Sequence, residues 1–113
     1  MLVIGNINPG KGHLDLVAAA RSLQLTGFFA SYPNVKFVIV GEDVTNSGIA
    51  TEMQEQIEKA KLAEYFIFTG FVTNTKPAFA ASNAVLIPSI EEPFGRVAVE
   101  AVLARKPVVA RNN

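Results

Sequence analysis

Five short runs of aliphatic and β-branched residues, at positions 2–4, 36–40, 65–69, 84–87 and 107–110, recur along the chain with helix-compatible segments between them. Their unbroken Val, Ile and Phe content predicts strands buried on both faces, as a parallel sheet demands. Four of the five run straight into a breaker or turn residue, at Gly5, Gly41, Gly70 and Pro88, so loops are expected there. In the first intervening segment Leu14, Val17, Ala18, Leu25, Phe28 and Phe29 form an apolar stripe at helical spacing, ended by Pro33-Asn34. Residues 51–62 predict a polar helix with Met53, Ile57 and Leu62 inward, and Thr51, three residues before Gln54, has capping-box spacing. A short helix is expected over 75–81 with Pro77 in its first turn, and a last one from near Phe94 to near Arg105. Strand–helix alternation with right-handed crossovers implies an α/β fold, a three-layer sandwich around a five-stranded parallel sheet. At 113 residues there is room for one domain.

Composition narrows the function classes. Half the residues are hydrophobic, 18% are charged, and mean hydropathy is +0.29, so the chain can bury a core and is not disordered. Ten basic residues balance ten acidic ones, which argues against a nucleic-acid partner held by a basic excess. No apolar run approaches the roughly 18 residues of a transmembrane helix, and the N-terminus lacks the basic stretch of a cleaved signal. Cysteine is absent and His13 is the single histidine, so neither a Cys-based nor a His-rich metal site is available. A cytoplasmic home fits this usage, with membrane-peripheral attachment of a longer parent left open.

In the common doubly wound strand order 3-2-1-4-5, strands 1 and 4 lie side by side where the winding reverses, and ligands bind in the crevice beyond that switch point. The loops facing each other there are residues 5–12 and 88–95. The first reads Gly5-Asn6-Ile7-Asn8-Pro9-Gly10-Lys11-Gly12 and leads into the first helix. Gly10 and Gly12 let the backbone approach a ligand, and Lys11 adds a positive charge where a helix N-terminus already favours anions. A phosphate or diphosphate suits this cradle, and a tight βα turn whose Lys11 is only solvated fits the same residues. The letters also fit the start of a Walker A motif, G-x-x-x-x-G-K, except that Gly12 stands where the magnesium-holding Ser or Thr belongs.

The second loop carries Glu91, Glu92, Pro93, Phe94 and Gly95, and Glu100 follows as the sole charge between Val97 and Ala104. Pro93 restricts Glu92 to an extended conformation, and Gly95 again permits close backbone approach. An ionised carboxylate only accepts hydrogen bonds and can hold two vicinal sugar hydroxyls at once. Spacing alone favours an i,i+4 pair of Glu100 with Arg96 and a solvated acidic loop at Glu91-Glu92, and it is the position opposite the phosphate cradle that points toward function.

Glu92 and Glu100, separated by seven residues in Glu-Pro-Phe-Gly-Arg-Val-Ala-Val-Glu-Ala, resemble the E-x7-E motif of retaining glycosyltransferases of the GT-B fold, family 4. The opening Gly-Asn-Ile-Asn-Pro-Gly-Lys-Gly is similar to that family's phosphate loop, and Phe37-Val38-Ile39-Val40-Gly41 and Thr69-Gly70-Phe71-Val72 keep its order and spacing. The likeness spans nearly the whole chain and corresponds to the C-terminal, donor-binding, Rossmann-like domain. The resemblance implies that Lys11 neutralises the diphosphate of a nucleotide-sugar in place of a metal, that Glu92 and the backbone around Phe94-Gly95 touch the donor sugar, that Glu100 holds the ribose, and that Phe71-Val72 lie against the base. It implies no cofactor, no metal, and transfer with retained anomeric configuration. It also implies a partner, an N-terminal Rossmann-like domain with the acceptor site, so the chain is expected to be a fragment inactive by itself. One departure stands out: the family usually has Arg where this chain has Asn6, in a G-R-x-x-x-x-K-G arrangement. A nucleotide hydrolase with an eroded P-loop and a non-catalytic α/β binding domain are the competing readings.

Overall fold

The computed structural model describes residues 1–89 and 95–111. Five strands, β1 (Leu2–Ile4), β2 (Phe37–Val40), β3 (Phe66–Gly70), β4 (Val85–Ile87) and β5 (Val108–Ala110), form one sheet in the order β3-β2-β1-β4-β5. Every strand pairing is parallel. The expected order and switch point are therefore both present.

The alternation of side chains across each strand divides the core in two. Val3, Phe37, Ile39 and Phe66 face one layer, where they pack with Leu16, Val17 and Ala20 of α1 (His13–Leu25), Phe29 of α2 (Phe28–Ser31), and Met53 and Ile57 of α3 (Ile49–Lys59). Leu2, Val40 and Val85 face the other, against Phe79 of α4 (Lys76–Ala81) and Ala101 of α5 (Arg96–Leu103). Burial on both faces holds for β1 and β2. The edge strands differ: Ile67 of β3 is 45% exposed and Val109 of β5 is 56% exposed.

Two local expectations need correction. The first helical segment is two helices, because Thr26 ends α1 and Gly27 adopts φ 81°, a left-handed conformation that a helix interior cannot use. The buried stripe of α1 is accordingly His13, Leu16, Val17 and Ala20, while Ala18 lies outward and Leu25 is exposed at the helix end. Thr51 does not cap α3, since the helix begins two residues earlier at Ile49. Asp43 organises that start instead: its carboxylate accepts the backbone N–H groups of Ser47 at 2.8 Å and Gly48 at 3.0 Å. These bonds, the Ser47 N–H foremost, hold the Asp43 carboxyl below the usual carboxylate range. The last helix, α5, runs from Arg96 to Leu103, within two residues of both expected ends.

Candidate functional site

The loop after β1 is built from inside out. Ile7 is 3% exposed and anchors the loop in the core, while its N–H donates to the carbonyl of Glu42 at 3.0 Å. Asn8 then accepts the N–H of Gly10 on its side-chain oxygen at 3.1 Å and caps a single 3-10 turn, Pro9–Lys11, with proline in the first position. This turn sets Lys11, half-buried, directly before the N-terminus of α1. Gly12 carries φ 77° and caps α1 with no side-chain hydrogen bond.

The loop after β4 meets the first loop at one point. A Cβ added at Gly12 would lie 2.6 Å from the carbonyl carbon of Pro88 and closer still to its oxygen. The missing side chain thus lets the two loops touch across the switch point, a different duty from opening the backbone to a ligand. Beyond Pro88 and the buried Ser89, the expected sugar contacts Glu92 and Phe94 lie outside the described residues. Gly95 is described: it is the N-cap of α5, in extended conformation and without a side-chain cap bond.

Glu100 lies on α5, five residues on from Gly95 and so about 7 Å further along the axis. Among the described residues no ion pair joins it to Arg96. Its Oε2 instead accepts the hydroxyl of Thr75, at the start of α4, at 3.3 Å. Phe71 and Val72 part company after β3. The Phe71 ring is 65% exposed, an aromatic face open to solvent, whereas Val72 packs into the layer of α4 and α5. The structure therefore brings Gly10, Lys11, Gly12 and Gly95 to the crevice end of the sheet, and puts Glu100 lower on the helix that Gly95 starts.

Sequence reasoning missed two participants. Asn8 is legible in retrospect from the Asn-Pro pair, which reads as N-cap and first helical position. Thr75 carries no such signal, because its partner is 25 residues away.

His13, the first residue of α1, is 2% exposed, and neither ring nitrogen has a hydrogen-bond partner among the described residues. It borders a small cavity of about 170 Å³ with Asn8, Pro9, Gly12 and Ile49. Burial first, and the nearby Lys11 charge second, hold its pKa below the ordinary value. The unfolded chain takes up a proton near pH 6.5 while the folded chain still refuses it, so stability falls as pH drops below about 6.5. The slope can reach about 1.4 kcal/mol per pH unit. Melting curves of the wild type and His13→Leu between pH 7.5 and 5 should diverge in this way, and parallel curves would show that His13 titrates normally.

The chain matches the family model described as glycosyl transferases group 1 over residues 1–113. It is 34% identical over 109 residues to the 2-deoxystreptamine glucosyltransferase of Streptomyces kanamyceticus, covering 95% of this chain and 26% of that protein. Among solved structures it is similar to Anabaena HepE in complex with UDP-glucose, with a TM-score of 0.82 and 32% identity over 96% of this chain and 28% of that one. It is also similar to the C-terminal domain of a glycosyl transferase group 1 family protein, LpcC, from Francisella tularensis, with a TM-score of 0.80 and 26% identity over 96% of this chain and 55% of that one. The chain thus spans about a quarter of the length of the curated relatives it matches. No helix among the described residues is long and apolar enough to cross a membrane. A doubly wound sheet whose two switch-point loops touch, matched to that family from first residue to last, makes this chain a member of the glycosyl transferases group 1 family.

Proposed function

We propose that this chain is the donor-binding half of a retaining glycosyltransferase and that it holds a nucleoside diphosphate sugar without a metal ion. The observation that carries the reading is the contact between the phosphate-type loop at Gly12 and the Pro88 end of β4, which closes the crevice exactly where Lys11 and the α1 N-terminus concentrate positive potential. The diphosphate lies against Lys11, with Gly10 permitting close approach of the backbone. Glu100 accepts the ribose hydroxyls, the exposed Phe71 ring meets the base, and Val72 backs it from the core. Glu92, with the backbone near Phe94 and Gly95, addresses the sugar. The likeness to the LpcC C-terminal domain and to HepE, which binds UDP-glucose, supports this assignment.

In the reaction, the bond from the sugar anomeric carbon to the diphosphate oxygen breaks and a bond to an acceptor oxygen forms on the same face. The acceptor proton passes to the departing diphosphate, whose growing charge is stabilised by the preorganised Lys11 and helix dipole. The acceptor site belongs to an N-terminal Rossmann-like partner domain, and a soluble cytoplasmic setting suits a nucleotide-sugar donor.

Calorimetric titration of the chain with UDP, GDP and ADP, with magnesium and with EDTA, tests the reading. Binding of at least one of them should persist in EDTA and weaken at least about tenfold in Glu100→Ala. Binding confined to magnesium-ATP would instead support a nucleotide hydrolase, and no nucleotide binding would leave a non-catalytic α/β domain. Without the partner domain, no sugar transfer to any acceptor is expected.

A further inference from the structure

A threonine at the start of a helix ordinarily turns its hydroxyl oxygen onto the first backbone N–H groups. Thr75 does not. It precedes α4 with helical dihedrals, φ −87° and ψ −8°, and makes no side-chain cap bond. The neighbouring Asn74 does the local work instead, its side-chain oxygen accepting the Lys76 N–H at 3.2 Å. The Thr75 hydroxyl is thereby released to donate to Oε2 of Glu100 on α5. Both residues line one cavity of about 480 Å³ between α4 and α5, with Thr73, Asn74, Lys76 and Leu103 on its walls.

We infer that Thr75 is a positioning residue for nucleotide recognition: it fixes the Glu100 carboxylate through Oε2 and leaves Oε1 to accept the 2′- and 3′-hydroxyls of a ribonucleoside diphosphate. The inference rests on the donor-site reading above and adds the group that orients its carboxylate. An exposed glutamate explores several rotamers, and each must be given up on binding. One hydroxyl donated from a neighbouring helix removes part of that loss in advance. The present separation is long for such a bond, and contacts of this kind shorten when a ligand arrives.

The test uses the 113-residue chain and two ligands, UDP and 2′,3′-dideoxyuridine diphosphate. Thr75→Val keeps the shape and removes the hydroxyl, and Thr75→Ser restores it. UDP affinity should fall about three- to tenfold in Thr75→Val and return to within about twofold of wild type in Thr75→Ser. Dideoxyuridine diphosphate, which offers Glu100 no diol, should bind wild type and Thr75→Val alike, and thermal melts should show all variants folded. Equal losses for both ligands would make the hydroxyl a merely structural group and overturn the inference. Unchanged UDP binding in Thr75→Val, with binding lost in Glu100→Ala, would also overturn it and leave the donor site standing. If Glu100→Ala itself binds UDP like wild type, the donor-site reading fails, and the role of Thr75 fails with it.

Discussion

Replacing Gly12 with alanine is expected to lower the stability of the chain by about 2–6 kcal/mol and to remove nucleotide binding with it. Two costs combine. The backbone at Gly12 has φ 77°, a left-handed conformation that a side chain disfavours. The new Cβ would also collide with the Pro88 carbonyl, a backbone group at the end of a core strand that cannot swing aside like a flexible side chain. Relief requires the α1 N-terminus and the β4 loop to separate, which is the contact that shapes the crevice. For a domain whose total stability is on the order of 5–15 kcal/mol, this loss is a large fraction. Gly10→Ala provides the contrast. A Cβ there meets Asn8 Oδ1 at 3.7 Å, an ordinary contact. The Gly10 variant should melt within about 1 kcal/mol of wild type yet bind UDP more weakly, because only the approach of the ligand is obstructed. Urea denaturation paired with UDP titration separates the two outcomes, and a Gly12→Ala chain as stable as wild type would refute the packing role.

The sheet was legible because its signal is repeated and local. Runs such as Phe37-Val38-Ile39-Val40 can be little else when each ends in a glycine or proline, and alternation with helices leaves few topologies open. The same logic sets both loops, after β1 and after β4, at the switch point. Helix ends were less legible, because they depend on single residues whose role is conformational or tertiary. The stripe through Leu25, Phe28 and Phe29 runs past Thr26-Gly27 without losing its apolar character, and only the left-handed Gly27 breaks it. Thr51 satisfied a capping pattern, but Asp43, eight residues earlier, gathers the N–H groups of Ser47, Gly48 and Ala50. At the edges of the sheet, apolar content by itself says nothing about whether another layer covers Ile67 or Val109. In the site, residue types in the first loop pointed to Lys11 and the family resemblance to Glu100, whereas the Thr75 bond and the Gly12–Pro88 contact exist only once distant segments meet.

Placing arginine at Asn6 should tighten UDP binding about tenfold or more, and removing the Lys11 charge should weaken it by a similar or larger factor. Asn6 is exposed and follows Gly5, at the position where the resemblance noted in the sequence implies an arginine. On the donor-site reading, its short neutral side chain gives a diphosphate one cation fewer than an arginine there would. Arg111, just past β5, is engaged elsewhere: its guanidinium donates to Asp15 Oδ2 in the first turn of α1 at 2.6 Å. That pair is partly exposed on both sides and adds little to stability, but it partly neutralises the Arg111 charge. The charge effects belong to the phosphates, so they should disappear when uridine replaces UDP. They should also shrink as salt rises, since exposed charges are screened over about 10 Å at 0.1 M. Titrating Asn6→Arg, Lys11→Ala and the double variant with UDP and uridine at two salt concentrations resolves each contribution. Equal gains for uridine and UDP in Asn6→Arg would mean that position 6 faces the base or ribose. A Lys11→Ala chain that binds UDP like wild type would move the diphosphate away from the first loop altogether.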